Sequence, residues 1–385
     1  MAITDSHSRS ETTDRQGPGN PKGGPNKSGD EAEIPKVPCS ELSITDIQAT
    51  NDQITWDRYV LNHAVASGYH LTGWRRVVEQ AFGHHTFYFM AKDADGDVRG
   101  VLPLVLLSSR LFGSPLVSMP FFNYGGVLAD TEEAREALLL AAVNLARKLK
   151  ASHIELRHQA PIQLEWPRKQ HKVSMRLELP SDFETLWKRF PSKLRSQIRR
   201  AQKEEMRVVI GSREILSDFY QVFSRNMRDL GTPVYGRWVF DTILEAFPKE
   251  ARICTVYWNN RPLASAFLYG FRKTLEIPWA SSDRRFNHFA PNMLLYSAVL
   301  EFACQQGYRV FDFGRSTSGT GTERFKEQWG AKPLPLYWHY WVPNGGSLPD
   351  VNPQNPKYTA AIGIWKRLPL FLTRVLGPVI VKNIP

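Results

Sequence analysis

Residues 311–331, FDFGRSTSGTGTERFKEQWGA, hold one lysine, Lys326, behind an apolar strand end and a loop rich in glycine and hydroxyl groups. A flexible loop beyond the carboxyl end of a strand is a common ligand site in α/β sheets. An ammonium fixed there would stabilise the oxyanion of an acyl-transfer intermediate or hold a leaving oxygen. A surface lysine on a short helix is the alternative interpretation.

The helix that carries this lysine is indicated by its capping residues. Thr320 and Glu323 match a capping box, which predicts a helix from about Gly321 to Gly330. Phe325 and Trp329 are four residues apart, so they share one side and would anchor the helix. Lys326 would then point towards the strand end at residues 312–315.

Other well-known chemical motifs are missing from the sequence. There is no GxxxxGK[ST] phosphate loop, no Q/RxxGxG/A pyrophosphate loop and no GxSxG nucleophile elbow. The three cysteines and ten histidines show no metal-ligand spacing, so no metal is expected. These features weaken a hydrolase and an ordinary acetyl-CoA-dependent acetyltransferase.

One pattern of elements occurs twice and would position the lysine. The first copy has strands at 87–91, 98–109 and 115–127, a helix at 131–150 and a strand at 153–157. The second has strands at 252–258, 262–271 and 274–282, a helix at 292–306 and a strand at 309–314. Asp95-Gly96 and Asn259-Asn260 suit hairpin turns. A helix followed by a strand implies parallel pairing in a mixed sheet. The expected fold class is therefore α/β, with two tandem acyltransferase-type mixed-sheet domains at 41–170 and 171–330. Two unrelated α/β pieces are the alternative.

A basic segment, SKLRSQIRRAQK (192–203), lies between the two copies. On a helical wheel, Leu194 and Ile198 define a buried side, and the cations, among them Lys193, Arg195 and Arg199, lie away from it. Arginine guanidinium groups on one side of a helix would bind phosphates or carboxylates through paired hydrogen bonds. A solvated helix stabilised by local ion pairs is the alternative.

Charge and the chain ends suggest partners and location. The formal charge is +11, and residues 1–38 hold five Lys/Arg against six Asp/Glu, so the rest carries about +12 and favours an acidic partner. Residues 1–40 are predicted to be a disordered tail without a signal peptide, and no run of apolar residues reaches transmembrane length, so a cytoplasmic protein is expected. After a strand at 331–342, residues 343–385 form a linker and an apolar, basic extension. Its segment 357–385 would pack on the body or contact a membrane surface.

The segment FDFGRSTSGTGTERFKEQWGA resembles the hallmark of the Fem family, a strand ending in Asp-Phe-Gly, a short loop and a Phe-Lys helix with Trp-Gly beyond. SKLRSQIRRAQK and residues 276–307 are similar to further segments of that family. The likeness covers roughly residues 50–342 and is greatest for the FemAB-like subgroup associated with exosortase/PEP-CTERM exopolysaccharide systems. It implies two tandem GNAT-related domains, with the strand at 335–341 returning to the first.

The resemblance also implies a reaction and a set of residues. Fem enzymes transfer an amino acid from aminoacyl-tRNA to an amine of a peptidoglycan precursor. By position, Phe325 and Lys326 match the catalytic pair, with Asp312 as a suspected base. Residues expected to bind the anionic envelope precursor or to shape the pocket are Lys193, Arg195, Arg199, Arg315, Trp279 and Tyr124. No bound cofactor is expected, since the acyl donor is a co-substrate.

The coiled-coil arm that some Fem proteins carry has no counterpart here, which leaves the donor open. Acyl transfer from acyl-CoA or an acyl carrier protein is one alternative. A non-catalytic RNA-binding or membrane-surface scaffold, consistent with the basic helix, is the other. The oligomeric state is left open by the sequence.

Overall fold

The computed structural model describes residues 42–47, 49–108, 113–169, 172–317, 319, 321–346, 348 and 356–384. The tail predicted over residues 1–40 lies outside the described residues, as does Thr320 of the capping box.

The first sheet contains the predicted hairpin at Asp95-Gly96, which joins β2 (His85–Lys92) and β3 (Val98–Leu106). It also includes one strand, β15 (Tyr337–Trp341), from much later in the chain. Its other strands are β1 (Ser43–Asp46), β4 (Leu116–Val117), β5 (Leu128–Ala129), β6 (Ile154–His158) and β7 (Arg168–Lys169). The order is β1-β2-β3-β4-β6-β15-β7, with β5 paired to β3. Its pairs are antiparallel except β4 with β6.

The second sheet has the order β14-β8-β13-β12-β11-β10-β9. Its strands are β8 (Lys172–Glu178), β9 (Arg207–Gly211), β10 (Ala251–Trp258), β11 (Arg261–Phe271), β12 (Thr274–Ser282), β13 (Val310–Thr317) and β14 (Lys332–Pro335). Its pairs are antiparallel except β12 with β13. Asn259 and Asn260 both have positive φ, which is the geometry of the tight hairpin turn predicted there.

Helices cover the sheets. They are α1 (Thr50–Asn62), α2 (Gly73–Val77), α3 (Glu132–Leu149), α4 (Phe183–Arg189), α5 (Ser192–Gln202), α6 (Leu216–Leu230), α7 (Arg237–Ala246), α8 (Pro291–Gln305), α9 (Gly321–Glu327), α10 (Pro356–Arg367) and α11 (Leu370–Val381). The Thr131 side chain accepts a hydrogen bond from the Ala134 amide at 3.2 Å and caps α3 where the sequence predicts its start.

The duplicated pattern is present, and the expectation of two tandem mixed-sheet α/β units is confirmed. In each sheet a crossover helix joins two parallel strands, β4–α3–β6 in the first and β12–α8–β13 in the second. The copies differ at 115–127. The strand there is only Leu116–Val117, and the chain then turns through Met119 and Phe121, both with positive φ. This loop, residues 118–127, leaves the sheet because its aromatic side chains pack between the two halves.

An aromatic core joins the halves. Tyr69, Trp74 and Phe122 come from the first, and Tyr269 and Trp279 come from the second. The Trp74 indole donates a hydrogen bond to the Tyr269 hydroxyl at 3.1 Å, so the contact is both apolar and polar. The two sheets therefore share one interior surface, and a site built there receives side chains from both.

Candidate active site

The parallel strands β12 and β13 separate soon after they meet. Their pairing covers three positions and ends at Glu276 opposite Asp312, although both strands continue further. Gly314 has a φ of 74°, and the register of β13 against β8 shifts between Asp312 and Arg315. This bulge turns β13 away from β12 and directs the side chains around it towards the first sheet's loop 118–127.

Asp312 is buried at the centre of this region and accepts hydrogen bonds from four groups. The Tyr124 hydroxyl lies 2.6 Å from Oδ2, the Ser174 hydroxyl 2.9 Å from Oδ1, and the Gly314 amide 2.8 Å from Oδ1. The Arg176 Nε donates to Oδ2 at 3.0 Å, which makes an ion pair. With both oxygens so occupied, Asp312 is placed to orient its neighbours.

Glu276 lies beside Asp312 and was not identified from the sequence. Its Oε1 accepts a hydrogen bond from Asn123 Nδ2 at 3.0 Å, and Tyr69 is a second hydrogen-bonding partner. Burial, followed by the negative charge of Asp312, raises the pKa of Glu276 to about 8. A carboxyl group with a pKa in this range exchanges its proton near neutral pH, which suits a general base.

Lys326 lies where the sequence placed it, on α9 against the bulge of β13. Its Nζ donates to the carbonyl oxygens of Gly314 and Arg315, each at 3.0 Å, and the side chain is buried. Burial lowers the pKa of Lys326 to about 8, while the charges of Asp312 and Glu276 act in the opposite direction. The ammonium is thus a positive charge held at the point where the strands separate.

A cavity of about 460 Å³ opens over the two carboxyl groups. Tyr124, Arg176, Glu276 and Asp312 are among its lining residues, and so is Gly68. A Cβ added to Gly68 would lie 2.5 Å from Cε1 of Tyr269, so only glycine fits there without movement of that ring. The volume is in the range of small-molecule sites, and lining residues come from both sheets.

Two of the expected site residues lie in packed surroundings. Phe325 packs against Tyr296, with ring centroids 5.1 Å apart, and against Trp329. Trp279 contacts Phe240 at 5.1 Å within the core between the sheets. Both side chains support the site from behind, and neither lines the cavity over Glu276.

Neither Arg315 nor the basic helix is among the residues that line the cavity. The Arg315 guanidinium is stacked 5.3 Å above the ring of Trp338 on β15, next to the bulge. On α5, Leu194 and Ile198 are buried as predicted, whereas Lys193 and Arg199 are exposed and Arg195 is half-buried. None of these three cations lines the cavity, so the structure does not bring the basic helix to the Glu276–Asp312 pair.

The described part of the chain shows neither a metal site nor a membrane-spanning helix. No cluster of three or more His, Cys, Asp or Glu side chains there has the geometry to hold a metal ion. Within the same residues, no helix combines the length and the apolar character needed to cross a bilayer.

The geometry defines a tandem mixed-sheet protein with a buried carboxyl pair and a lysine at a strand separation, and comparisons with known proteins agree with its fold. Residues 188–327 match the family described as acetyltransferase (GNAT) domain. That range contains β12, β13, Glu276, Asp312 and Lys326. No curated protein matches the chain.

Several solved structures share the fold. The crystal structure of FemX superposes with a TM-score of 0.62 and 16% identity, covering 83% of this chain and 100% of that one. The C-terminal domain (DUF2156) of a putative lysylphosphatidylglycerol synthetase from Agrobacterium fabrum superposes with a TM-score of 0.52 and 13% identity, covering 82% of this chain and 95% of that one. A conserved protein of unknown function from Bacteroides thetaiotaomicron superposes with a TM-score of 0.51 and 12% identity, covering 78% of this chain and 99% of that one. At these identities the likeness shows the fold, which is that of tandem GNAT-like proteins.

Proposed function

We propose that this protein transfers an acyl or aminoacyl group to an amine on an anionic precursor of the cell envelope. The observation that carries the proposal is Glu276, a buried carboxyl group with a pKa of about 8 in a cavity at the separation of β12 and β13. The GNAT-type match over residues 188–327 supports the acyl-transfer class. The fold shared with FemX and with a lysylphosphatidylglycerol synthetase domain supports an envelope acceptor.

In the proposed reaction the acceptor amine loses a proton to the Glu276 carboxylate and attacks the acyl carbonyl carbon. The new C–N bond forms as the bond from that carbon to the leaving oxygen breaks, and Glu276 returns the proton to the leaving oxygen. Ester and amine thus become amide and alcohol, with no net change in protons. An amine with a pKa near 8 would be matched to this base, which is the condition for efficient proton transfer.

The neighbours of Glu276 would stabilise the charge that develops in the transition state. Lys326 supplies positive charge at the strand separation, where the acyl oxygen would become negative. Asp312 holds Tyr124 and Arg176 in place, and Arg176 lines the cavity as a cation for an acidic group of the acceptor. Arg315, stacked on Trp338, would act with it. The exposed Lys193 and Arg199 would serve a more distant part of a large substrate.

Aminoacyl-tRNA is the proposed donor, by the resemblance of residues 311–331 to Fem proteins. The exopolysaccharide-associated FemAB-like subgroup suggests an amino sugar as an acceptor besides a peptidoglycan peptide. An acyl-CoA donor is the second candidate, and the GNAT-type match over residues 188–327 favours it. In either case the acceptor would be met at the inner face of the cytoplasmic membrane.

The test is transfer of radiolabel from a mixed aminoacyl-tRNA pool to muropeptide or amino-sugar acceptors, with wild type and Glu276→Gln compared. A parallel panel of labelled acyl-CoA donors distinguishes the second candidate. Label transferred by wild type and reduced by about a hundredfold in the variant supports the proposal. Failure of wild type with both donor classes would overturn it.

A further inference from the structure

The C-terminal helix α11 presents an apolar face to solvent. Phe371, Val375 and Val379 are 65%, 67% and 61% exposed, and Leu376 and Ile380 lie beside them. At 100° per residue these five side chains occupy one half of the helix, and Arg374 is the single charged residue between Leu370 and Val381. An exposed contiguous apolar patch of this kind marks an interaction surface.

The opposite face fixes α11 on the body of the protein. Arg374 donates to the Ser224 hydroxyl at 3.0 Å and stacks over the ring of Tyr220. A Cβ added to Gly377 would lie 2.8 Å from the backbone of Val234, so the helix rests directly on that backbone. His84 Nε2 bonds the Lys382 carbonyl at 2.7 Å. The apolar face is therefore held in one orientation, pointing away from the core.

The charged residues of the segment that carries this face are all positive. Residues 356–385 contain five Lys/Arg and no Asp or Glu. Lys366 and Arg367 are exposed just before α11, and Lys382 is exposed just after it, so cations flank both ends of the apolar row. The indole of Trp238 is half exposed in the cleft beside Val375 and Val379, and its Nε1 donates to the Ala81 carbonyl.

These features select one kind of partner. A short helix with apolar side chains on one half, an adjacent tryptophan and basic ends lies in the plane of a membrane interface, with its cations at anionic headgroups. Twelve residues span about 18 Å, too little to cross the hydrocarbon core. A second protein surface would require an acidic rim to match the same cations.

We propose that α11 with its flanking residues Lys366, Arg367 and Lys382 is a docking surface for an anionic lipid bilayer. The helix lies flat, and Phe371, Val375 and Val379 enter the boundary between headgroups and acyl chains. The cations contact lipid phosphates. This proposal does not depend on the proposed acyl transfer, since it rests on different residues.

The experiment is flotation of the full chain with two vesicle types, phosphatidylcholine alone and phosphatidylcholine with about one-third phosphatidylglycerol. The apolar variant is Val375→Gln with Val379→Gln. Its matched control is Ile54→Gln with Leu140→Gln, two side chains similarly exposed elsewhere. A charge variant combines Lys366→Gln with Lys382→Gln. Thermal melting and size-exclusion chromatography with light scattering check folding and association.

The wild type and the control are expected to float with the anionic vesicles and to bind them at least tenfold more tightly than the apolar variant does. The charge variant is expected to lose most of the preference for anionic over neutral vesicles. The proposal is overturned if the wild type does not bind anionic vesicles, or if the apolar variant binds them as well as the control does. It is also overturned if the wild type is a dimer that the apolar variant dissociates, because a second copy then covers the face.

Discussion

Glu276 and Asp312 form the last pair in parallel register before β12 and β13 separate. One carboxyl group of the pair accepts hydrogen bonds from four donors, and the other has its pKa raised to about 8 by burial and by the charge of the first. Two similar groups are thereby given different tasks by their surroundings. One positions neighbouring side chains, and the other is suited to exchange a proton.

Glu276→Gln should reduce single-turnover transfer by about a hundredfold or more, because it removes the proposed proton acceptor while keeping the side-chain volume. The measurement is the rate of label transfer at saturating acceptor. Glu301→Gln, on the exposed side of α8, is the matched control and should transfer at the wild-type rate. Equal rates for the two variants would exclude Glu276 as the base.

The stability of the protein should depend on the protonation of Glu276 even without a substrate. The folded-state pKa of this carboxyl group is raised to about 8, so the folded protein holds the proton more tightly than the unfolded chain. Its stabilisation is complete below about pH 4.5 and is lost as pH rises through 8. Urea unfolding of wild type and Glu276→Gln between these limits should show wild type losing stability relative to the variant. If the free energies of unfolding of the two proteins change in parallel with pH, the raised pKa of Glu276 is contradicted.

Turnover should have a bell-shaped pH profile. Glu276 acts as a base only after it loses its proton, so activity rises as pH approaches about 8. Burial lowers the pKa of Lys326 to about 8, so its positive charge and the activity decline above that pH. Glu276→Gln should remove the rising limb from the residual activity. Both pKa values are about 8. A wild-type profile that is flat from pH 6 to 9, a range that extends about two pH units below and about one unit above these values, would be inconsistent with both assignments.

Lys326→Met should lower turnover at least tenfold, because it removes the charge proposed to stabilise the developing oxyanion. The two carbonyls of Gly314 and Arg315 also lose their donor, so the free energy of unfolding is measured alongside the rate. Lys148→Met, at an exposed position on α3, controls for loss of a cation. A turnover close to that of the control in a fully folded Lys326→Met protein would remove Lys326 from the mechanism.

Tyr124→Phe should destabilise the protein by about 1–3 kcal/mol, because the buried Asp312 loses a donor 2.6 Å away. Tyr257→Phe is a close match, since the Tyr257 hydroxyl donates to Asp218 at 2.7 Å in a more accessible place. It should cost about 0.5–1.5 kcal/mol. Urea unfolding at pH 7 measures both. A Tyr124→Phe loss no larger than that of Tyr257→Phe would show that the interdomain bond adds little to stability.

Much of the fold could be predicted from local patterns. The Asn259-Asn260 turn, the cap at Thr131 and the buried side of α5 each depend on residues close together in the chain. The short β4 was not foreseen, because the loop after it is shaped by packing against the other half. Lys326 was placed correctly because α9 begins at Gly321, where a local sequence pattern next to the strand end predicts a helix.

The central group of the site could not be predicted in the same way. Glu276 is one acidic residue in an apolar strand, TLEIPW, and that contrast is the only signal that the sequence offers. Its pKa is raised by burial in the fold and then by the charge of Asp312, 36 positions later, and its partners Tyr69 and Asn123 come from the other half of the chain. Phe325 matches a family position, but its i,i+4 contact with Trp329 makes it part of the core.

The position of β15 has a consequence for biosynthesis. This strand lies between β6 and β7, so the first sheet is incomplete until residues 337–341 have left the ribosome. During most of translation β6 has an open edge, which is a template for pairing with other chains. We therefore expect the nascent chain to depend on chaperones until late in synthesis, and the first half expressed alone to aggregate.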